Sequence, residues 1–223
     1  MKLESSIASA LTPSPKWAGL NEGLRAGVIK EIGGGLCDLW EISPVRIEDN
    51  HQHTEEIIDR LFPGNPLICT GRNHYRYDTK PREDWRGKLP EMALINPSPM
   101  SAIRGTSKEG KLDKHTLDNT GARRFLIVEF DTGTLDDHAA LLMRLGQFAP
   151  LVCAVHSGGK SLHGWFYVHG QDDMRVEKFF RYAVALGADH QLWRRSQFVR
   201  MPDGTREDGN RQTVFYLNFN PLP

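Results

Sequence analysis

Apolar and polar positions alternate in two different periods along this chain, and the periods divide it into elements. Residues 54 to 71, "TEEIIDRLFPGNPLICTG", place Ile57, Ile58, Leu61 and Phe62 at helical spacing behind Thr54, a predicted N-cap. Pro63-Gly64 then stops the helix, and a short apolar strand follows. "EMALINPSPM" reads as a second strand ended by its prolines. From residue 125 onward the pattern sharpens. "FLIVEF" is a strand. "TLDDHAALLMRLGQ" begins with Thr134 and Asp137 at capping-box spacing and sets Leu135, Ala139, Leu142 and Leu145 on one helical face.

"LVCAVH" is the next apolar strand, and "SLHGWFYVH" alternates with many aromatic residues. "DDMRVEKFFRYAVALG" has Asp172 or Asp173 as cap, Val176, Phe179, Phe180, Ala183 and Val184 on one face, and Gly187 as a stop. "QFVRM" and "TVFYLN" read as two strands joined through a turn at Asp203-Gly204. The order β-α-β-β-α-β plus one further strand predicts an α+β domain of the split βαβ, ferredoxin-like kind over residues 123–223. Residues 1–122 form a leader and a smaller α/β module. Within them the opening 30 or so residues, with "TPSP", are expected to be a loosely attached, weakly helical leader.

Composition narrows the classes of function. The chain has 223 residues, 39% of them hydrophobic and 25% charged, as in a water-soluble globular protein. The 28 basic and 28 acidic residues cancel, so any nucleic-acid surface must be local. Cys37, Cys69 and Cys153 are odd in number and widely spaced, which argues against a disulfide framework or a zinc knuckle and for a reducing compartment. With no apolar run long enough for a membrane span and no signal-peptide core, the expected location is cytoplasmic, with no membrane partner.

Candidate chemistry begins with "HSGGKSLHGW", residues 156 to 165. It imitates the end of a P-loop, but Ala154 stands where the opening glycine belongs, and the lysine and serine lead into a strand rather than a helix. Gly158 and Gly159 instead predict a tight strand-to-strand turn whose N–H groups make an anion nest, with Lys160, Ser161 and His163 holding a triphosphate.

Strand parity sends Leu126, Val128 and Phe130 toward the helices and Ile127, Glu129 and Asp131 to the open face. Ser161, His163, Trp165 and Tyr167 share one face of their own strand. In a split βαβ sheet the first and third strands are neighbours, so the two acids fall beside Ser161 and His163. Two acids at the end of an apolar strand are costly to bury without a cation. Asp189 is a third acid, and Arg194, Arg195, Arg200, Arg206 and Arg211 follow it. Such a set suits in-line nucleotidyl transfer with two divalent ions.

The series "VEFD", "SGGKSLH", and "AD" followed by "RMPDGTR" resembles the three ordered motifs of the archaeo-eukaryotic primase superfamily, over residues 123 to 218. By position, the resemblance implies that Glu129, Asp131 and Asp189 ligate Mg or Mn. It implies that Ser161 and His163 contact the phosphates of the incoming nucleotide with Lys160 nearby, and that Arg200 and Arg206 join them. It further implies an RRM-like catalytic palm, a DNA primase-polymerase activity on nucleoside triphosphates and single-stranded DNA, and a role in replicating a phage, plasmid or mobile element. Two departures stand out: Glu129 replaces the commoner Asp, and the turn reads Pro-Asp-Gly rather than Pro-Gly. The zinc-binding insertion of some relatives has no counterpart, since the 25 residues between His163 and Asp189 include no Cys.

The alternatives are a metal-dependent nuclease, which gives no reason for the phosphate cradle, and a non-catalytic replication initiator or single-strand binding module. The ending just after a strand points to part of a longer protein with a helicase as domain or partner; an intact small protein is the alternative.

Residues 72 to 88 carry six basic residues against three acidic ones, interleaved with His74, Tyr75, Tyr77 and Trp85. They form either a template contact or a solvated loop with buried aromatics. His51 and His53 have the look of a metal pair, but no third ligand is evident, and the expectation is a solvated loop.

Overall fold

The computed structural model describes residues 15–223. In chain order the helices and strands are α1 (Glu22–Ile32), α2 (Leu36–Glu41), α3 (Thr54–Leu61), β1 (Leu67–Asn73), β2 (Arg76–Pro81), β3 (Leu94–Ile95), β4 (Gly105–Thr106), β5 (Leu112–Asp113), β6 (Phe125–Glu129), α4 (Leu135–Gly146), β7 (Leu151–His156), β8 (Leu162–Tyr167), α5 (Asp173–Ala185), β9 (Val199–Arg200) and β10 (Val214–Leu217). The described residues form a mixed α/β structure with five α-helices. Its sheets run β2-β1-β3-β9 and β10-β7-β8-β6, with a separate β4-β5 ribbon, and every pairing is antiparallel.

In the second sheet β6 and β7 both lie antiparallel to β8, which separates them. They are therefore parallel to each other and joined through α4, a βαβ unit split by a third strand, as predicted. The local causes are those read from the sequence. Thr134 accepts from the Asp137 N–H while Asp137 returns the bond to Thr134, closing a capping box at the start of α4. Asp172 caps α5 by accepting from Met174 and Arg175, and Gly187 ends it at φ +99°. The helices cover one sheet face: Gly164 of β8 lies against Leu142 of α4, and Phe166 packs on Phe179 of α5 with centroids 5.0 Å apart.

The other face is covered by the amino-terminal part of the chain. Phe125 stands edge-on to Trp165 at 5.5 Å and to Phe62 at 5.7 Å, and Arg124 Nε donates to the Leu61 carbonyl at 2.7 Å. The two halves thus share one buried core. It closes over the middle of the sheet and leaves the Glu129 end of β6 at its margin.

Five predicted features differ. "QFVRM" and "TVFYLN" do not form a hairpin: β9 leaves for the other sheet to pair with β3, and β10 lies beside β7. The segment at Ala188, bridged to Phe130, takes the place beside β6 where a fourth strand was expected. Residues 22–32 are not a loose leader but α1, held by Arg25, whose guanidinium donates to the Leu186 carbonyl at 2.8 Å and the Thr132 carbonyl at 2.6 Å; most of "TPSP" lies outside the described residues. Thr54 is inside α3 rather than its N-cap, because its hydroxyl donates to the Asp203 carbonyl at 2.6 Å. The strand read in "EMALINPSPM" contracts to the two residues of β3.

Candidate functional site

β6 and β8 set Glu129 directly opposite His163. The Ser161 hydroxyl donates to Glu129 Oε1 at 2.6 Å, and His163 Nε2 lies 3.2 Å from the same oxygen. Ser161 and His163 are buried, whereas the Glu129 side chain keeps 21% of its surface. Burial works to raise the Glu129 pKa, but the hydrogen bond and charge of His163, the Ser161 hydroxyl and the charge of Arg200 outweigh it and hold the carboxyl down at about 2. Glu129 is thus a committed carboxylate. His163 Nδ1 is buried without a hydrogen-bond partner, an orphan beside this carboxylate.

The third acid meets the first through the backbone, since the Asp189 N–H donates to the Glu129 carbonyl at 2.9 Å. Its own carboxylate accepts from the Gln191 N–H at 2.9 Å and caps the turn His190–Trp193. Asp131 lies just beyond the end of β6 and is exposed. The carboxylates therefore share one end of the sheet without converging on a point. Among the described residues, the one group of three or more such ligands with donor atoms within 4.8 Å of one another lies elsewhere, at His51, His53 and Glu56. The cause is local: Glu129 is turned to Ser161 and His163, and Asp189 to its own turn. As a donor set, three carboxylates have the hard-oxygen chemistry that suits Mg or Mn.

The glycine turn lies where parity placed it. Gly158 has φ +71°, and a Cβ there would come within 2.9 Å of Arg206 Cδ, so the turn needs glycine both for its backbone and for the arginine lying over it. Arg206 Nη1 donates to the Ser157 carbonyl at 3.2 Å. Gly159 and Lys160 are exposed at the tip. A cleft of about 320 Å³ opens nearby, lined by Arg72, Asn73, His74, Ala93, Leu94, Arg200, Arg206, Glu207 and Asp208. Arg200 is pushed below the ordinary arginine range by burial and by Arg206, against the pull of Glu129. Arg206 also pairs with Asp208 at 3.3 Å, so among the described residues Arg200 is the guanidinium of this wall that forms no ion pair.

Only part of the expected arginine cluster faces this cleft. Arg195 donates to the Gly121 carbonyl at 3.0 Å. Arg211 pairs with buried Asp203 at 2.6 Å, and also with Asp49. Arg72, the first of the six basic residues at 72–88, lines the cleft and pairs with Glu91. Of the interleaved aromatics at 72–88, Trp85 is buried beneath Lys80, whose ammonium sits 4.8 Å from its ring, and Tyr77 packs on Phe198. Tyr75, at the tip of the β1-β2 hairpin, is 93% exposed.

The His51-His53 segment departs from the expected solvated loop. His53 is buried, and Glu56, three residues on, approaches its ring at 3.1 Å; the spacing H-x-x-E across a helix start was the available signal. No helix among the described residues is long and apolar enough to cross a membrane. Comparison with family models, curated proteins and solved structures finds no match.

Proposed function

We propose that the chain is a primase-polymerase catalytic unit, joining nucleoside triphosphates on a single-stranded DNA template. The reading rests on the ordered motifs and on one observation above all: the carboxylate of Glu129, held between Ser161 and His163, lies at the sheet end beside an arginine-lined cleft. Glu129, Asp131 and Asp189 would hold Mg or Mn, and the ions would supply activation of the attacking 3′-hydroxyl and charge neutralisation at the leaving pyrophosphate.

The chain's own residues position the reactants. Arg200 and Arg206 take the negative charge of the triphosphate, with the exposed N–H groups and Lys160 of the glycine turn as further donors. Ser161 and His163 fix the Glu129 carboxylate and keep it ionised, so that no proton competes for it. The RRM-like palm of the superfamily, with a helicase as neighbour, belongs to the same reading.

A non-catalytic single-strand binding module is the second reading, favoured by the carboxylates' failure to converge. Nucleotide incorporation on single-stranded DNA, with and without primer, in Mg or Mn, separates the two. Metal-dependent product that Asp131→Ala lowers by about 100-fold or more supports the enzyme. No product from the wild type, with DNA bound equally by both proteins, overturns it.

A further inference from the structure

His53 closes the turn into α3, and its side chain is only 10% exposed. Nε2 lies 3.0 Å from the Glu48 carbonyl oxygen, and Nδ1 lies 3.1 Å from Glu56 Oε2. Both partners accept; neither donates. A neutral imidazole has a single N–H, and the Glu48 carbonyl uses it. The second nitrogen is left with a lone pair aimed at a carboxylate, an arrangement that is repulsive unless a positive centre stands between them. The His51 ring lies against that of His53, centroids 3.9 Å apart, and one donor atom each from His51, His53 and Glu56 fall within 4.8 Å of one another.

We propose that His51, His53 and Glu56 bind one zinc ion. Two imidazoles and a carboxylate are a donor set for a borderline transition metal rather than for Mg or Ca. Tetrahedral bonds of about 2.0–2.1 Å put neighbouring ligand atoms about 3.3 Å apart, so the 3.1 Å separation of His53 Nδ1 and Glu56 Oε2 already fits. The side chains that would shift to close the set, His51 and Glu56, are both exposed. The Nε2–H bond to the Glu48 carbonyl is the outer contact that fixes the tautomer of a ligating histidine and aims its other nitrogen at the metal.

The ion would sit beside a joint between the two halves of the chain. Buried Asp203 accepts the His53 N–H at 2.5 Å, and Arg211 donates both to Asp203 and, at 2.7 Å, to the His51 carbonyl. Zinc at His51-His53-Glu56 would fix the conformation of residues 51–56, the segment that these hydrogen bonds tie to the turn carrying Arg206.

The test uses the untagged full chain, stripped with chelator and titrated with zinc against a chromophoric competitor, alongside thermal unfolding. One zinc per chain is expected, with a Tm that rises with the logarithm of free zinc. His51→Ala and Glu56→Gln alter exposed side chains and should each weaken binding by more than about tenfold, the least expected where even an outer partner costs that much. Asp131→Ala should leave zinc binding unchanged, which separates this site from the carboxylates of the nucleotide site. A wild type that binds no zinc overturns the proposal. So does zinc binding undiminished in both His51→Ala and Glu56→Gln.

Discussion

The backbone N–H of Asp189 donates to the carbonyl of Glu129 at 2.9 Å, which ties the loop after α5 to the end of β6. Because this contact is made by main chain, the Asp189 side chain is free to be changed without untying it. Asp189→Asn keeps an oxygen to accept from the Gln191 N–H. The substitution should leave the Tm within a degree or two of wild type while lowering metal-dependent nucleotide incorporation by about 100-fold or more. Incorporation at the wild-type rate in this variant would remove Asp189 from the site.

Gly164 of β8 keeps α4 close to the sheet. A Cβ at this position would clash with Leu142 Cδ2 and come within 3.1 Å of Phe166 Cε2, with both neighbours fully buried. Gly164→Ala should cost about 1–3 kcal/mol by overpacking, read as a lower urea midpoint at unchanged slope. Adding Leu142→Val, which withdraws the obstructing methyl, should return part of the loss; simple additivity of the two losses would refute the contact.

The second half of the chain was legible because several signals agreed there. Alternation, capping residues and terminal glycines all mark β6, α4, β7, β8 and α5, and parity together with the split βαβ strand order placed Glu129 with Ser161 and His163. The remainder failed for identifiable reasons. α1 buries only Arg25 and Val28, so its attachment runs through a guanidinium and two carbonyls, which no hydrophobic period can register. β9 is two residues long, and its partner is chosen by β3, far away in sequence. The failure of the acids to converge is a matter of side-chain hydrogen bonds, invisible to strand parity. Trp85, buried beneath Lys80, fits the alternative of a solvated loop with buried aromatics, whereas exposed Tyr75 does not.

Tyr75 is the aromatic of this stretch that is placed to stack on a base. It projects from the β1-β2 hairpin next to Asn73 and His74, both of which line the arginine cleft, and the Asn73 side chain accepts the Tyr75 N–H at 2.8 Å, which fixes the tip. Stacking on one base is worth about 1–3 kcal/mol. Tyr75→Ala should weaken single-stranded DNA binding by roughly 5- to 100-fold, while Tyr75→Phe, which keeps the ring, should bind as the wild type does. Fluorescence anisotropy with a labelled oligonucleotide reads both; equal affinity of Ala and Phe variants would show that the ring faces only solvent.

His115 makes folding stability depend on pH. Its ring stacks on Phe198 at 3.8 Å, and the Asn96 amide donates to Nε2 at 3.2 Å, which a neutral ring can accept. Burial is the main force lowering its pKa, to about 4, with His74 adding to it and Asp113 and the Ser196 backbone opposing. The unfolded chain takes up a proton near the ordinary value of 6.5, while the folded protein resists until about 4. Between those values the unfolded state binds more protons, so stability is full above pH 6.5 and drains away as the pH falls toward 4. His115→Gln cannot titrate, so its urea-unfolding free energy should fall less steeply across that window than that of the wild type, whatever its value at pH 7. Parallel pH profiles for the two proteins would show that the histidine titrates alike in the folded and unfolded chains.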